Sequence, residues 1–163
     1  MRAFLTAFLA LQFSALSAFA QVNIGFGDVA HDATQSIEVT ADALTLNQET
    51  GNAVFTGNVI IVQGDLRIAA GEVTVFYNTE DGGTQDVSRV EATGGVLVTR
   101  GVDAAEGQSA AYEVASSLMT LSGGVLVTQG ATAISGDRMV VNMATGDGTV
   151  EGRVRTILQQ GTD

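Results

Sequence analysis

Residues that could carry covalent chemistry are few and badly placed for it. His31 is the single histidine and there is no cysteine, so one chain cannot build a histidine-based triad, a multi-histidine metal site or a thiol nucleophile. Asp42, Glu72 and Asp137 recur beside turns, where a carboxylate satisfies turn amides or stays in water rather than converging with a second acid. Glu80-Asp81-Gly82-Gly83 lacks the alternating acidic ligands and distal Glu of a calcium loop, and no Gly-x-x-x-x-Gly-Lys-Ser/Thr phosphate loop occurs. The reading is therefore not an enzyme, with no catalytic residue, no metal and no cofactor. A glycan-cutting β-helix would need clustered carboxylates on one face, and the acids here sit singly.

The pattern that dominates is apolar alternation. In Thr50 to Val75, Ala53, Phe55, Val59 and Ile61 share one parity between Gly51 and Gly64, and the alternation restarts at Leu66 and Ile68, passes Gly71 and resumes at Val73 and Val75. A period of two broken by glycine turns predicts a meander of short strands. Aligning Ala41-Asp42, Gly71-Glu72, Gly107-Gln108 and Gly136-Asp137 brings Leu44/Leu46, Thr74/Phe76, Ala110/Tyr112 and Met139/Val141 into register, and Gly57, Gly123 and Gly152 fall at one offset. The block Gly-x-Val-x-x-x-Gln/Arg-Gly recurs at Gly57, Gly94 and Gly123. A spacing near 30 residues predicts about four stacked supersecondary units that share one interior, with Asn78 to Ser88 as a polar insertion. The expected fold class is all-β, and with no proline in the chain its edges lack one common guard against strand pairing.

Composition sets the compartment and narrows the partners. Met1 to Ala20 carries Arg2, an apolar run and Ala18-Phe19-Ala20, the pattern of a secretory signal cut after Ala20 and before Gln21. No later stretch reaches the roughly 18 apolar residues of a membrane helix. Residues 21–36 are polar without a clear period and are expected to form a flexible lead-in; the folded domain should span 37–158, with 159–163 as a tail. The net charge is −11, there is no lysine, and the few arginines are scattered, which argues against nucleic acid as a partner.

Ile37-Glu-Val-Thr-Ala-Asp42, Thr56-Gly-Asn-Val-Ile-Ile-Val-Gln-Gly64 and Ile68-Ala-Ala-Gly-Glu-Val-Thr-Val75 resemble the LptA, or OstA-like, family of periplasmic lipopolysaccharide-transport proteins. The likeness continues through Ala105-Glu-Gly-Gln108, Tyr112-Glu-Val114, Leu121-Ser-Gly-Gly124 and Ile134-Ser-Gly-Asp-Arg138. It implies a twisted β-jellyroll of consecutive antiparallel strands that shields the acyl chains of lipopolysaccharide. It also implies an LptC-like inner-membrane partner at the N-terminal edge, an LptD-like outer-membrane partner at the C-terminal edge, and head-to-tail homo-oligomers. The groove candidates are Ile37, Val39, Leu44, Leu46, Phe55, Val59, Ile61, Leu66, Ile68, Val96, Tyr112, Val114, Leu121 and Met139. Of these, Ile37, Val96, Tyr112 and Val114 match the family's interior lipid contacts.

By periodicity alone the same apolar face equally fits a closed, self-packed core, and the alternative reading is a secreted structural β-solenoid that assembles through its edges. Free edges are expected near Ile37 to Ala41 and near Val150 to Leu158, with Arg153 and Arg155 facing carboxylates such as Glu38 of the next copy.

Overall fold

Val, Ile, Thr and Phe at every second position favour extended backbone because their branched or flat side chains pack on a pleated surface. The computed structural model describes residues 21–27, 35–78 and 86–158, and there this preference is realised without a helix. The proposed signal (1–20), His31, the acidic insertion at 80–83 and the tail at 159–163 lie outside the described residues.

Eleven strands form one antiparallel sheet: β1 (Gln21–Gly25), β2 (Glu38–Thr40), β3 (Ala43–Leu46), β4 (Ala53–Gln63), β5 (Leu66–Tyr77), β6 (Val87–Arg100), β7 (Asp103–Glu113), β8 (Leu118–Gln129), β9 (Thr132–Asn142), β10 (Asp147–Glu151) and β11 (Arg155–Leu158). With β2 and β3 taken together against β4, and β10 and β11 together against β9, each strand pairs with its neighbour in sequence, the expected meander.

Each long strand is bent at its middle. The register shifts between Thr56 and Val59, between Ala69 and Glu72, between Thr93 and Val96, between Glu106 and Ser109 and between Ser122 and Val125, so the bulges form a continuous row across the sheet. The glycines aligned in the sequence occupy this row. Gly57, Gly94, Gly123 and Gly152 have φ between +76° and +88°, a region closed to most side chains. At Gly123 a Cβ would also stand 2.6 Å from Gln108 Cβ. Asp42 and Asp137 work at the same corners: Asn58 Nδ2 donates to Asp42 Oδ2 at 2.8 Å, and Arg153 Nη2 donates to Asp137 Oδ1 at 3.0 Å. These recurring acids thus bind side chains across a bend rather than turn amides. β2 and β3 both pair with β4, and β10 and β11 both pair with β9, so each couple is a single bent strand interrupted at its corner. The sheet is therefore eight bent strands with β1 added.

The row of corners divides the sheet into two walls. One holds 53–56, 72–77, 87–93, 109–113, 118–122, 138–142 and 147–151; the other holds 59–63, 66–70, 96–100, 103–106, 125–129, 132–135 and 155–158. Inward-facing Val73, Ala92, Met119, Leu121, Met139, Val141 and Val150 of the first and Val59, Val96, Val98, Ala105, Val125, Val127 and Ile134 of the second build one apolar interior. Burying each of the larger side chains contributes about 1.5–3 kcal/mol, enough for a fold without disulfides.

Two expectations are corrected. Residues 21–25 are not a lead-in but strand β1, antiparallel to β10 at the end of the sheet remote from β2. Val22, Ile24 and Phe26 alternate, but three apolar residues are too short a period to read, and their partner strand lies more than 100 residues away. For the same reason Val150 does not lie on a free edge: β10 is paired on both sides, and the open strands there among the described residues are β11 and the outer side of β1. Arg153 is bound to Asp137 of its own chain instead of facing a neighbouring copy. That hydrogen bond, with the carboxylate charge, raises the Arg153 pKa above the ordinary arginine value.

Candidate functional site

Toward the β2 end the two walls leave a cavity of about 360 Å³ between them. The second wall supplies Ile61, Gln63, Leu66 and Ile68; the first supplies Phe55, Val75, Tyr77, Val87, Val90, Tyr112, Val114, Met119 and Met143; Ile37 and Val39 stand at its outer end. The strands place these side chains by parity alone. Val39 stands directly opposite Ile61, Ile61 opposite Ile68, and Val90 opposite Tyr112, so each pair shares the interior face. Among the described residues no charged side chain lines the space. Its polar side chains among the described residues are Gln63, Tyr77 and Tyr112, a composition that accepts methylenes.

The sequence candidates fall into three groups. Ile37, Val39, Phe55, Ile61, Leu66, Ile68, Tyr112 and Val114 come together around the cavity. Val59, Val96, Leu121 and Met139 face inward but are buried in close packing. Val59 and Val96 also border a more open depression on the outer side of the corners, lined by Ile60, Leu97 and glycine backbone together with the polar side chains of Asn58, Glu106 and Gln108. Leu44 and Leu46 stand opposite Phe55 and Ala53 on the interior face of β3, yet are 52% and 68% exposed because among the described residues no strand lies beyond them.

The candidate set omits Gln63, Val75, Tyr77, Val87, Val90, Met119 and Met143. Val75 and Tyr77 continue the parity of Val73, and Met119 and Met143 continue that of Leu121 and Val141, so parity was a usable signal. It was broken at Val87 and Val90 by the register irregularity between Phe76 and Tyr77.

At the other end of the array the interior is shut. Phe26, 1% exposed, enters between the walls: its N–H donates to Gly146 O at 2.6 Å, and its carbonyl accepts from Arg100 Nη1 at 3.3 Å. Gly27 N donates to Asp103 Oδ2 at 2.8 Å, while Gln129 Nε2 donates to Gly25 O and, at 3.2 Å, to Asp103 Oδ2. Gly146 ends the first wall and Arg100, Asp103 and Gln129 end the second, so one short segment joins the two rims. Arg100 is itself 1% exposed and reaches outward to Asp65 at 3.3 Å.

A continuous sheet folded along a line of bulges, with one end packed and an apolar cavity at the other, defines an all-β protein with its interior between two walls. Residues 38–147 match the family described as LptA/(LptD N-terminal domain) LPS transport protein, and the chain belongs to that family. The crystal structure of LptH from Pseudomonas aeruginosa, the LptA-homologous periplasmic component of its lipopolysaccharide transport device, superposes with a TM-score of 0.67 at 19% identity. That alignment covers 77% of this chain and 96% of LptH and shows the shared twisted-jellyroll fold. An uncharacterized protein of Rhizobium meliloti is 33% identical over 91 residues, which is 53% of this chain and 49% of that protein, so the match spans about half of the curated relative's length.

Proposed function

We propose that this protein is a periplasmic carrier of lipopolysaccharide that holds the acyl chains between its two walls and does no covalent chemistry. The observation that carries this reading is the uncharged cavity bounded by Ile61, Ile68, Val90 and Tyr112, in a chain of the lipopolysaccharide-transport family. Each buried acyl methylene contributes about 0.8 kcal/mol, so several lipid chains bind firmly with no charge pairing. This also reconciles an acidic protein with an anionic glycolipid. The tails lie inside while the phosphates stay in water, away from the surface carboxylates.

Edge strands supply the route onward. β2 and β3 present open backbone at one end and β11 at the other, the arrangement from which a strand-by-strand bridge is built to an LptC-like protein, to further copies and to an LptD-like protein. The apolar interior then runs on through each junction.

The test places a photo-crosslinking residue at Tyr112 or at Glu113 in cells. The two share β7, but Tyr112 lines the cavity, whereas Glu113 faces out and pairs with Arg89 at 2.8 Å. Lipopolysaccharide attached at 112 and not at 113 is the expected result. Capture at neither position in a folded protein returns the chain to a structural β-array that shares only the fold.

A further inference from the structure

Half of the sheet edge at the β10–β11 end is already occupied by the chain's own β1. Val22 lies opposite the buried Val150 and Ile24 opposite Gly148, so both apolar side chains lie on the interior face. Ile24 sits close: a Cβ on Gly148 would stand 3.1 Å from Ile24 Cγ1. Beyond β1, Phe26 seals the interior between Gly146 and Arg100, and Gly27 passes Arg100 so tightly that a Cβ there would stand 2.6 Å from Arg100 Cδ. The same seven residues thus cap an edge and stop the carboxyl end of the apolar interior.

The opposite end carries a strand of the same pattern with no cover. Leu44-Thr45-Leu46 of β3 alternates apolar, polar, apolar, as Val22-Asn23-Ile24 of β1 does, and its leucines lie on the interior face but in solvent. Because the bent strands number eight, an even count, β2–β3 of a second copy would meet β10–β11 antiparallel. β3 would lie along β10 in the first wall and β2 along β11 in the second, with interior faces aligned. β1 sits where that β3 would lie, in the same direction.

We propose that β1 is an intramolecular stand-in for β3 of a second copy, which must displace it for the two interiors to join. β11, with Ile157 and Leu158 exposed and not covered by β1, offers the first landing for β2. Exchange then proceeds around the corner at Gly152 and withdraws Phe26 from the interior. Until a second copy docks, the stand-in occupies the β10 edge with a strand of only five residues and keeps that end of the interior shut. The inference takes from the carrier reading only what passes through the opened end.

The test uses the absence of cysteine. Asn23 and Thr149 face each other across β1 and β10, with Thr149 Oγ1 donating to Asn23 Oδ1 at 3.2 Å, and the pair Asn23→Cys/Thr149→Cys would lock β1 in place by a reversible disulfide. Sedimentation velocity should find the oxidised protein monomeric at concentrations where the reduced form and the parent chain associate, with a reductant restoring association. Phe26→Ala, which loosens the stand-in without a lock, should lower the half-association concentration by at least about tenfold. Equal association of oxidised and reduced forms overturns the proposal. So does absence of association in the parent and in Phe26→Ala while lipopolysaccharide is still captured at position 112, an outcome that leaves the carrier reading standing. Redox-dependent association without lipid capture supports the strand competition and removes the carrier reading.

Discussion

The end of the interior toward β2 and the end toward β10 are built from bent strands with the same alternation, yet one encloses a cavity and the other is closely packed. In the closed end, Val127, Met139, Val141 and Val150 are almost fully buried, and Phe26 fills the gap between the rims. In the open end, Phe55, Ile61, Ile68, Val90 and Tyr112 remain only partly buried. Nothing in strand composition separates them. What differs is whether a segment from elsewhere in the chain lies across the rims, so closure here is a property of what is inserted and not of the walls.

That contrast can be broken by substitution. Met139→Ala removes side-chain volume from a packed site and should cost about 2–5 kcal/mol in urea denaturation, whereas Ile61→Ala, at a wall already facing a cavity, should cost clearly less. Equal losses would mean that the open end is collapsed in solution.

The corners give a smaller effect that sharpens the same comparison. Gly95→Ala at the β6 corner meets no atom within 4 Å and carries only the left-handed backbone penalty of about 1–2 kcal/mol. Gly123→Ala on β8 adds contact with Gln108 and should lower the thermal midpoint further. The smallest change in stability belongs to the double variant Leu44→Ser/Leu46→Ser, expected within about 0.5 kcal/mol of the parent because neither leucine is covered. Its effect should appear in sedimentation instead, as weakened association. Hydrogen exchange orders the regions in the same way: amides of β8 and β9 should exchange far more slowly than those of β2 and β3, which have a neighbour on one side only.

Much of this architecture was legible in the residues. Alternation in Ala53 to Ile61 and Leu66 to Val75 predicted the strands, and the Gly57, Gly94 and Gly123 blocks marked positions that prove to be corners, because only glycine enters a left-handed bend without strain. Parity also separated inward from outward residues. It could not tell Met139, in close packing, from Ile61, at a cavity, since both point inward and the distinction depends on what stands on the far wall. Nor did it find Phe26, whose importance rests on Gly146, Arg100 and Asp103, far away in the chain.

The sequence by itself therefore determined the alternation, the antiparallel meander and the chemistry of the interior, because these follow from backbone sterics and from side-chain polarity between near neighbours; the glycines it read as turns between short strands are bends within long ones. Only the tertiary structure decided which end is open, that β1 crosses to β10, and where a guest could lie. Those outcomes depend on contacts between residues more than 70 positions apart, whose separation no local period records.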